Sequence, residues 1–368
     1  MKKNNITLKL ITCLFCFFII SLISVYSSLS IIKDNLGNIF LKQIIYYIIG
    51  TLLLLIAYFK KKEIIKYSYL WYLGFNFLLL ILLLLGVSIN GSRCWLIIGP
   101  ISFQPSEFMK ISLIITLSKL LYKYDKKISM KEEFKLLLTI FVILMIPSIL
   151  TFLEPDTGVV IIYFIITISM LLYRGINKKW YYITLIFLVI LSSSITYLYF
   201  FKNDLLLNIL GENIFYRMDR ILNWSSGSGY QLENSITSIS SAGLLGFGIN
   251  NTPLYFPESN TDFIFATFSS NFGFMGSIFL FIIIILFDSN ILFLIDKKTK
   301  KMDKYLLIGL FTMTLYQQVQ NISMTIGLLP ITGITLPFIS YGGSSLLSYM
   351  FITGLILNIS NTKDKFLN

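Results

Sequence analysis

The sequence predicts an all-α integral membrane protein, with about ten transmembrane helices packed as one bundle over residues 1–368. Composition, the recurrence of apolar runs and the sorting of basic residues predict it. Hydrophobic residues make up 56% of the chain and charged residues only 13%, against about a quarter charged in a soluble domain. Mean hydropathy is +0.78. The formal net charge of +12 sits in short lysine clusters between apolar runs. That distribution points away from nucleic acid and towards membrane topology.

A spanning helix needs roughly 20 apolar residues. Runs of that kind fall near 10–29, 43–59, 67–87, 106–122, 136–153, 157–173, 180–200, 263–287, 305–327 and 342–359. The first has a basic start but no small-residue cleavage site after it, so it reads as a retained helix rather than a signal peptide. The fifth and sixth are separated by Glu154, Pro155 and Asp156. They should form a tight helical hairpin, with Pro155 in a turn where no backbone donor is needed.

Orientation follows from the basic residues. With ten spans drawn, Lys2, Lys3, Lys60, Lys61, Lys62, Lys126, Lys127, Lys178, Lys179, Lys297, Lys298, Lys300 and Lys301 all fall on one side. The opposite side holds only Lys33, Lys42, Arg93, Lys202, Arg217 and Arg220. Both termini are therefore expected in the cytoplasm. Two longer connections then face outward: 88–105, and a large loop, 202–262, between the seventh and eighth helices. Long connections of this kind commonly carry function. Cys13 and Cys16 form a CxxC pair, but no second pair and no histidine accompany it. They read as packing residues, and no disulfide framework is implied.

Ionisable residues at membrane depth usually mark function. Pro105 suits the first turn of the fourth span. Glu107 and Lys110 are three apart and share a helix face, either as a structural ion pair or as a polar wall of a cavity. Asp156 stands at the outer end of the sixth helix, where the helix dipole favours a carboxylate. Gln317 and Asn321, four apart on the ninth span, suit interhelical hydrogen bonding. The glycine- and proline-rich stretches 327–333 and 336–345 cannot face lipid and must line a cavity or pack within protein. Asp262 falls where the eighth span begins, at the outer interface, and helix capping is its simplest role. Arg217 and Arg220 have the geometry to hold phosphate, or to contact lipid headgroups.

Five motifs occur in order along the chain: NGSRCW at 90–95, FQPSEFMK at 103–110, EPDTG at 154–158, FPESNTDFIFA at 256–266 and GLLPITGITLPFISYGGSS at 327–345. On these motifs the chain resembles the SEDS family (shape, elongation, division and sporulation). The resemblance implies a peptidoglycan glycosyltransferase that polymerises lipid II at the outer face of the cytoplasmic membrane, beside a class B penicillin-binding protein and in contact with membrane lipids. Asp262 matches the family's proposed catalytic aspartate. Arg93, Trp95, Glu107, Lys110, Asp156, Arg217, Arg220, Glu258, Gln317, Asn321 and Ser344 match positions expected to bind substrate. No obligatory cofactor is implied, although outer carboxylates can recruit a divalent cation such as Mg or Mn to a pyrophosphate. A lipid II flippase and a non-catalytic scaffold for a transpeptidase are the alternatives. The chain departs from the family pattern at Cys94, Glu154, Ser270, Asn271 and the short stretch 223–231.

Overall fold

The computed structural model describes residues 4–32, 36–89, 92–98, 101–126, 128–180 and 229–362, with isolated helical positions at 182, 186, 193 and 197. The described helices are α1 (Asn4–Ile32), α2 (Leu36–Lys66), α3 (Ser68–Leu85), α4 (Pro105–Lys123), α5 (Met130–Leu153), α6 (Thr157–Arg174), α7 (Tyr230–Ser241), α8 (Ile264–Lys297), α9 (Lys301–Thr325) and α10 (Gly343–Asn361). All but α7 overlap expected spans. The seventh expected span, 180–200, lies outside the described residues apart from Trp180 and the isolated positions, and Arg217 and Arg220 lie outside them too.

Local chemistry sets the boundaries. Pro105 opens α4, where its missing N–H costs nothing. Ser129 and Glu132 form a reciprocal capping box at the start of α5, satisfying two otherwise orphaned donors. The expected hairpin is present: Glu154 ends α5 and Asp156 begins α6. Gly175, at φ 77°, ends α6 in a conformation that glycine adopts without steric cost.

Seven of the described helices are long and apolar enough to cross a membrane. α4 and α9 are more polar, and they are buried along almost their whole length. Protein rather than lipid surrounds them. α10 is also central, with 83% of its apolar window buried against 28% for α2 and α3. At Gly354 the α10 backbone comes so close to α2 that an added Cβ would collide with the Leu54 carbonyl. Small residues permit this kind of contact between membrane helices.

The structure refines two sequence expectations. The 88–105 connection, expected only as a long outer segment, is folded. It forms a three-stranded antiparallel sheet of β1 (Val87–Ile89), β2 (Ser92–Ile98) and β3 (Ile101–Phe103). Its register pairs Ile89 with Ser92 and Ile98 with Ile101. The dipeptide Asn90-Gly91 between the first two strands is a strong hairpin signal.

The second concerns the eighth span, expected over 263–287. α8 breaks at Gly273 (φ 62°, ψ −159°). Ser277 Oγ donates to Ser269 Oγ at 2.9 Å, and the Phe265 and Phe281 rings lie 5.8 Å apart. Along a straight helix sixteen residues would separate those rings by ~24 Å. The arm 264–272 therefore folds back against the long arm 274–297, and only the long arm runs on as a span. Residues 243–248 clasp the bend. Phe247 N donates to Ser270 O, Gly248 N to Asn271 O, Phe274 N to Gly243 O and Met275 N to Leu244 O, at 3.0–3.1 Å. Hydropathy cannot register a left-handed glycine, so the sequence reading merged the two arms.

A half-buried carboxylate held between two inward-dipping segments

Because the short arm of α8 folds back, Asp262 at its foot does not mark the outer end of a spanning helix. The N-cap of α8 is Phe263, with no side-chain capping bond. The capping role expected for Asp262 is thus overturned, and so is its place at the start of a span. Among the described residues nothing donates a hydrogen bond to its carboxylate. Its main chain is firmly held: Asn321 Nδ2 on α9 donates to Asp262 O at 2.8 Å and to Ile334 O at 2.7 Å.

Residues 256–263 are stitched to the segment joining α9 and α10. Ser340 Oγ donates to Thr261 O at 2.6 Å, and Tyr341 N donates to Asn260 O at 2.8 Å. Within the first segment Glu258 adopts φ 55°. Its carboxylate accepts from Thr261 Oγ1 at 2.6 Å, and its carbonyl accepts from Phe263 N at 2.9 Å. The other segment reaches the middle of the bundle. Phe338 stacks on Phe17 of α1 at 5.2 Å and meets Phe287 of α8 edge-on at 5.3 Å. The 336–345 stretch thus packs within protein, as expected, whereas 327–333 is half-buried to exposed.

Asp156 approaches the same place from α6. An added Cβ at Gly158 would lie 2.9 Å from Thr332 O, and one at Gly333 would lie 3.6 Å from Asp262 Oδ2. The stretch 332–334 thus runs between the head of α6 and Asp262. Asp156 Oδ1 caps α6 through Val159 N at 3.2 Å, and Oδ2 accepts from Gln104 Nε2 at 3.0 Å. Both carboxyls hold protons more tightly than usual. For Asp156 burial is the largest cause. For Asp262 burial comes first, then Glu258 and Asp156, and together they push it up to about 7. Burial and then Asp156 push Glu154 higher, to about 9. Neither Glu154 carboxyl oxygen has a partner among the described residues.

Behind Asp156 lies a buried polar network. Lys110 Nζ donates to Glu107 Oε1 at 2.8 Å, and Ser348 Oγ donates to Glu107 Oε2 at 3.2 Å. With the Gln317 amide oriented to suit its neighbours, its oxygen accepts from Lys110 Nζ at 2.8 Å and from Tyr349 OH at 2.9 Å. Glu107, Lys110 and Gln317 therefore converge in the bundle interior. Tyr349 and Ser348 were not singled out from sequence, because a tyrosine or serine on an apolar helix carries no distinguishing signal. Ser344 ties β3 to α10 instead, accepting from Gln104 N at 2.8 Å. Arg93 is exposed and Trp95 half-buried on β2, and Arg93 N donates to Glu154 O at 3.3 Å. No group of three metal-ligating side chains converges among the described residues.

A family model described as cell cycle protein, and covering FtsW, RodA and SpoVE, matches residues 7–365. A probable peptidoglycan glycosyltransferase FtsW from Coxiella burnetii is 33% identical over 380 residues, covering 98% of each chain. A chain from a structural study of polymerisation and crosslinking by a peptidoglycan synthase complex superposes with a TM-score of 0.78. It is 23% identical, over 95% of this chain and 96% of that one. The crystal structure of Rod shape determining protein RodA from Thermus thermophilus gives a TM-score of 0.69 at 23% identity, over 95% of each chain. At these identities the structural likeness is one of fold.

Proposed function

Because the chain belongs to the FtsW, RodA and SpoVE family of cell cycle proteins, we propose that it is a peptidoglycan glycosyltransferase that polymerises lipid II. Asp262 acts as the base. It removes the proton from the 4-hydroxyl of the acceptor sugar as that oxygen attacks C1 of the lipid-linked donor. The configuration at C1 inverts, and undecaprenyl pyrophosphate leaves.

The observation that carries this reading is the state of Asp262. Its backbone is pinned by Asn321 and its carboxylate has no donor among the described residues. A proton affinity near neutrality is where a general base works best, and Asp262 is pushed up to about 7. Arg93, Arg217 and Arg220 are the cations assigned to the leaving pyrophosphate. No step is routed through a metal ion. A class B penicillin-binding protein is the partner, and the lysine-rich side of the bundle is the cytoplasmic side.

Two of the departures from the family pattern, Glu154 and Asn271, are compatible with activity. A Glu154 carboxyl pushed up to about 9 is protonated at neutral pH and substitutes for the neutral glutamine common in the family. Asn271 donates to Ser27 Oγ and accepts from Thr252 Oγ1, so an amide network occupies one of the positions where the family carries an acidic pair.

The test is polymerisation of lipid II by the purified protein with its transpeptidase partner. Glycan chains are expected. Translocation of lipid II across vesicles without polymer would favour the flippase, and stimulation of the partner alone would favour the scaffold.

A further inference from the structure

The structure has an apolar cleft that the proposed chemistry does not use. It has a volume of about 610 Å³ and lies between α1 and α2. Ile11, Leu14 and Phe18 line it from α1, and Ile48, Thr51 and Leu55 from α2. Its floor includes Phe338. The cleft exists because the two helices take different partners: α2 lies tightly along α10, as at Gly354, and α1 packs on α8 through Phe17 and Phe287.

The two ends of the cleft differ. Just beyond Tyr47 the helices are bridged by polar groups. Gln43 Nε2 donates to Ser21 Oγ at 2.9 Å and to Ser340 O at 3.3 Å, while Tyr47 OH donates to Phe338 O at 2.5 Å. That bridge closes the end nearest Asp262. At the other end the last lining residue of α2 is Phe59, and the helix kinks at Lys60 (φ −102°, ψ 15°). Lys60 and Lys62 are exposed there, Lys60 in a solvent-exposed ion pair with Glu63 Oε1 at 3.0 Å that is weak enough for a phosphate to compete with. Lys61 turns inward to Asp303 Oδ1 at 2.7 Å. Polar groups that suit a lipid headgroup complete this mouth. Thr7 and Ser360 hydroxyls lie 2.8 Å apart, and Asn361 Nδ2 donates to Tyr58 OH at 2.7 Å.

We propose that the cleft binds an anionic phospholipid from the lysine-side leaflet, with one acyl chain between α1 and α2 and the phosphate on Lys60 and Lys62. An apolar void open to the bilayer core does not hold water, because water there would lack polar partners, so hydrocarbon fills it. The basic residues select the headgroup. Lysines at a membrane surface attract anionic lipid, and here two of them border the open end. A carrier-lipid tail entering from the Asp262 side would have to pass the Ser21–Gln43 bridge.

The test uses the full chain in mixed micelles containing equal phosphatidylglycerol and phosphatidylcholine, with bound lipid read by native mass spectrometry. One phosphatidylglycerol should be retained in preference to phosphatidylcholine. The double variant Lys60→Gln/Lys62→Gln should lower its retention roughly twenty-five-fold, at about five-fold per lysine. Thr51→Trp, which fills the cleft midway, should abolish retention of either lipid while the protein still melts cooperatively. Equal retention of the two lipids would overturn the proposal, as would retention that survives Thr51→Trp. Displacement of phosphatidylglycerol by undecaprenyl phosphate would assign the cleft to the carrier and also overturn it. None of these readouts uses polymerisation, so they stand apart from the glycosyltransferase reading.

Discussion

Replacing Asp262 by asparagine keeps the side chain's size and removes only its capacity to take a proton. The backbone bond from Asn321 to Asp262 O is untouched by the change, and no capping bond is lost because Phe263 is the N-cap. Folding, membrane insertion and partner binding should persist. General-base catalysis contributes ~10²–10⁴-fold, and the lipid II polymerisation rate should fall by that range at matched amounts of folded protein. The pH profile gives a second readout. Burial and the neighbouring Glu258 and Asp156 push Asp262 up to about 7, and the base acts only when deprotonated. Wild-type polymerisation should therefore rise with pH through about 7 and level off above it, while the residual rate of Asp262→Asn should lack that step. Near-normal polymerisation by the asparagine variant would refute the catalytic assignment, whatever the profile.

Asn321→Ala removes the two bonds that hold Asp262 O and Ile334 O. A misplacement of about 1 Å can cost ~10²-fold, so kcat for polymerisation should fall by up to that factor with KM little changed. Lys110→Met strands Glu107 from its 2.8 Å partner, and breaking a buried pair costs about 3–5 kcal/mol. Thermal melting should show a large loss, partly recovered in the double variant Glu107→Gln/Lys110→Met. Gly273→Ala forces a Cβ to 2.5 Å from Gly246 N at a residue with φ 62°. Folded yield should drop sharply, whereas Gly74→Ala, with nothing within 4 Å, should be tolerated. Cysteines placed singly in 243–250 should react with impermeant reagents from outside, and cysteines in 297–304 should not. The reverse pattern would invert the topology.

Much of the bundle was legible because membrane helices announce themselves by apolar length, and Pro105 and Asp156 mark helix starts by ordinary helix-terminus chemistry. The Glu107–Lys110 pair was legible from its spacing of three. Spacing could not show that Gln317 and Tyr349 complete the pair's hydrogen bonds, since that depends on how α4, α9 and α10 pack. The fold-back at Gly273 was hidden for a different reason. Phe265 and Phe281 are both apolar and look like successive turns of one span, although Ser269, Ser270 and Asn271 just before the glycine are an unusually polar patch for such a helix. The sheet over 87–103 was missed because its strands are short and their residues equally suit a membrane interface. Asp262 could be found only through its motif, since an aspartate before an apolar run ordinarily reads as a cap.

The position of Asp262 also bears on how a carboxylate with no hydrogen-bond donor of its own among the described residues, as the proposed base requires, can be held inside a membrane bundle. Irregular backbone below the membrane surface must find hydrogen bonds within the protein. Here the two dipping segments supply them to each other. Tyr341 N meets Asn260 O and Ser340 Oγ meets Thr261 O, while within the second segment Leu336 N is taken up by Ser340 Oγ. Asn321 spends both amide protons on the pair, one on each segment. Since these bonds fix the main chain on both sides of residue 262, the carboxylate does not need donors of its own to be held in place. A carboxylate that did accept such bonds would be stabilised as the anion and made a weaker base. Backbone support and side-chain freedom are thus parts of one arrangement: the neighbours that orient Asp262 act on its peptide groups and leave its basicity intact.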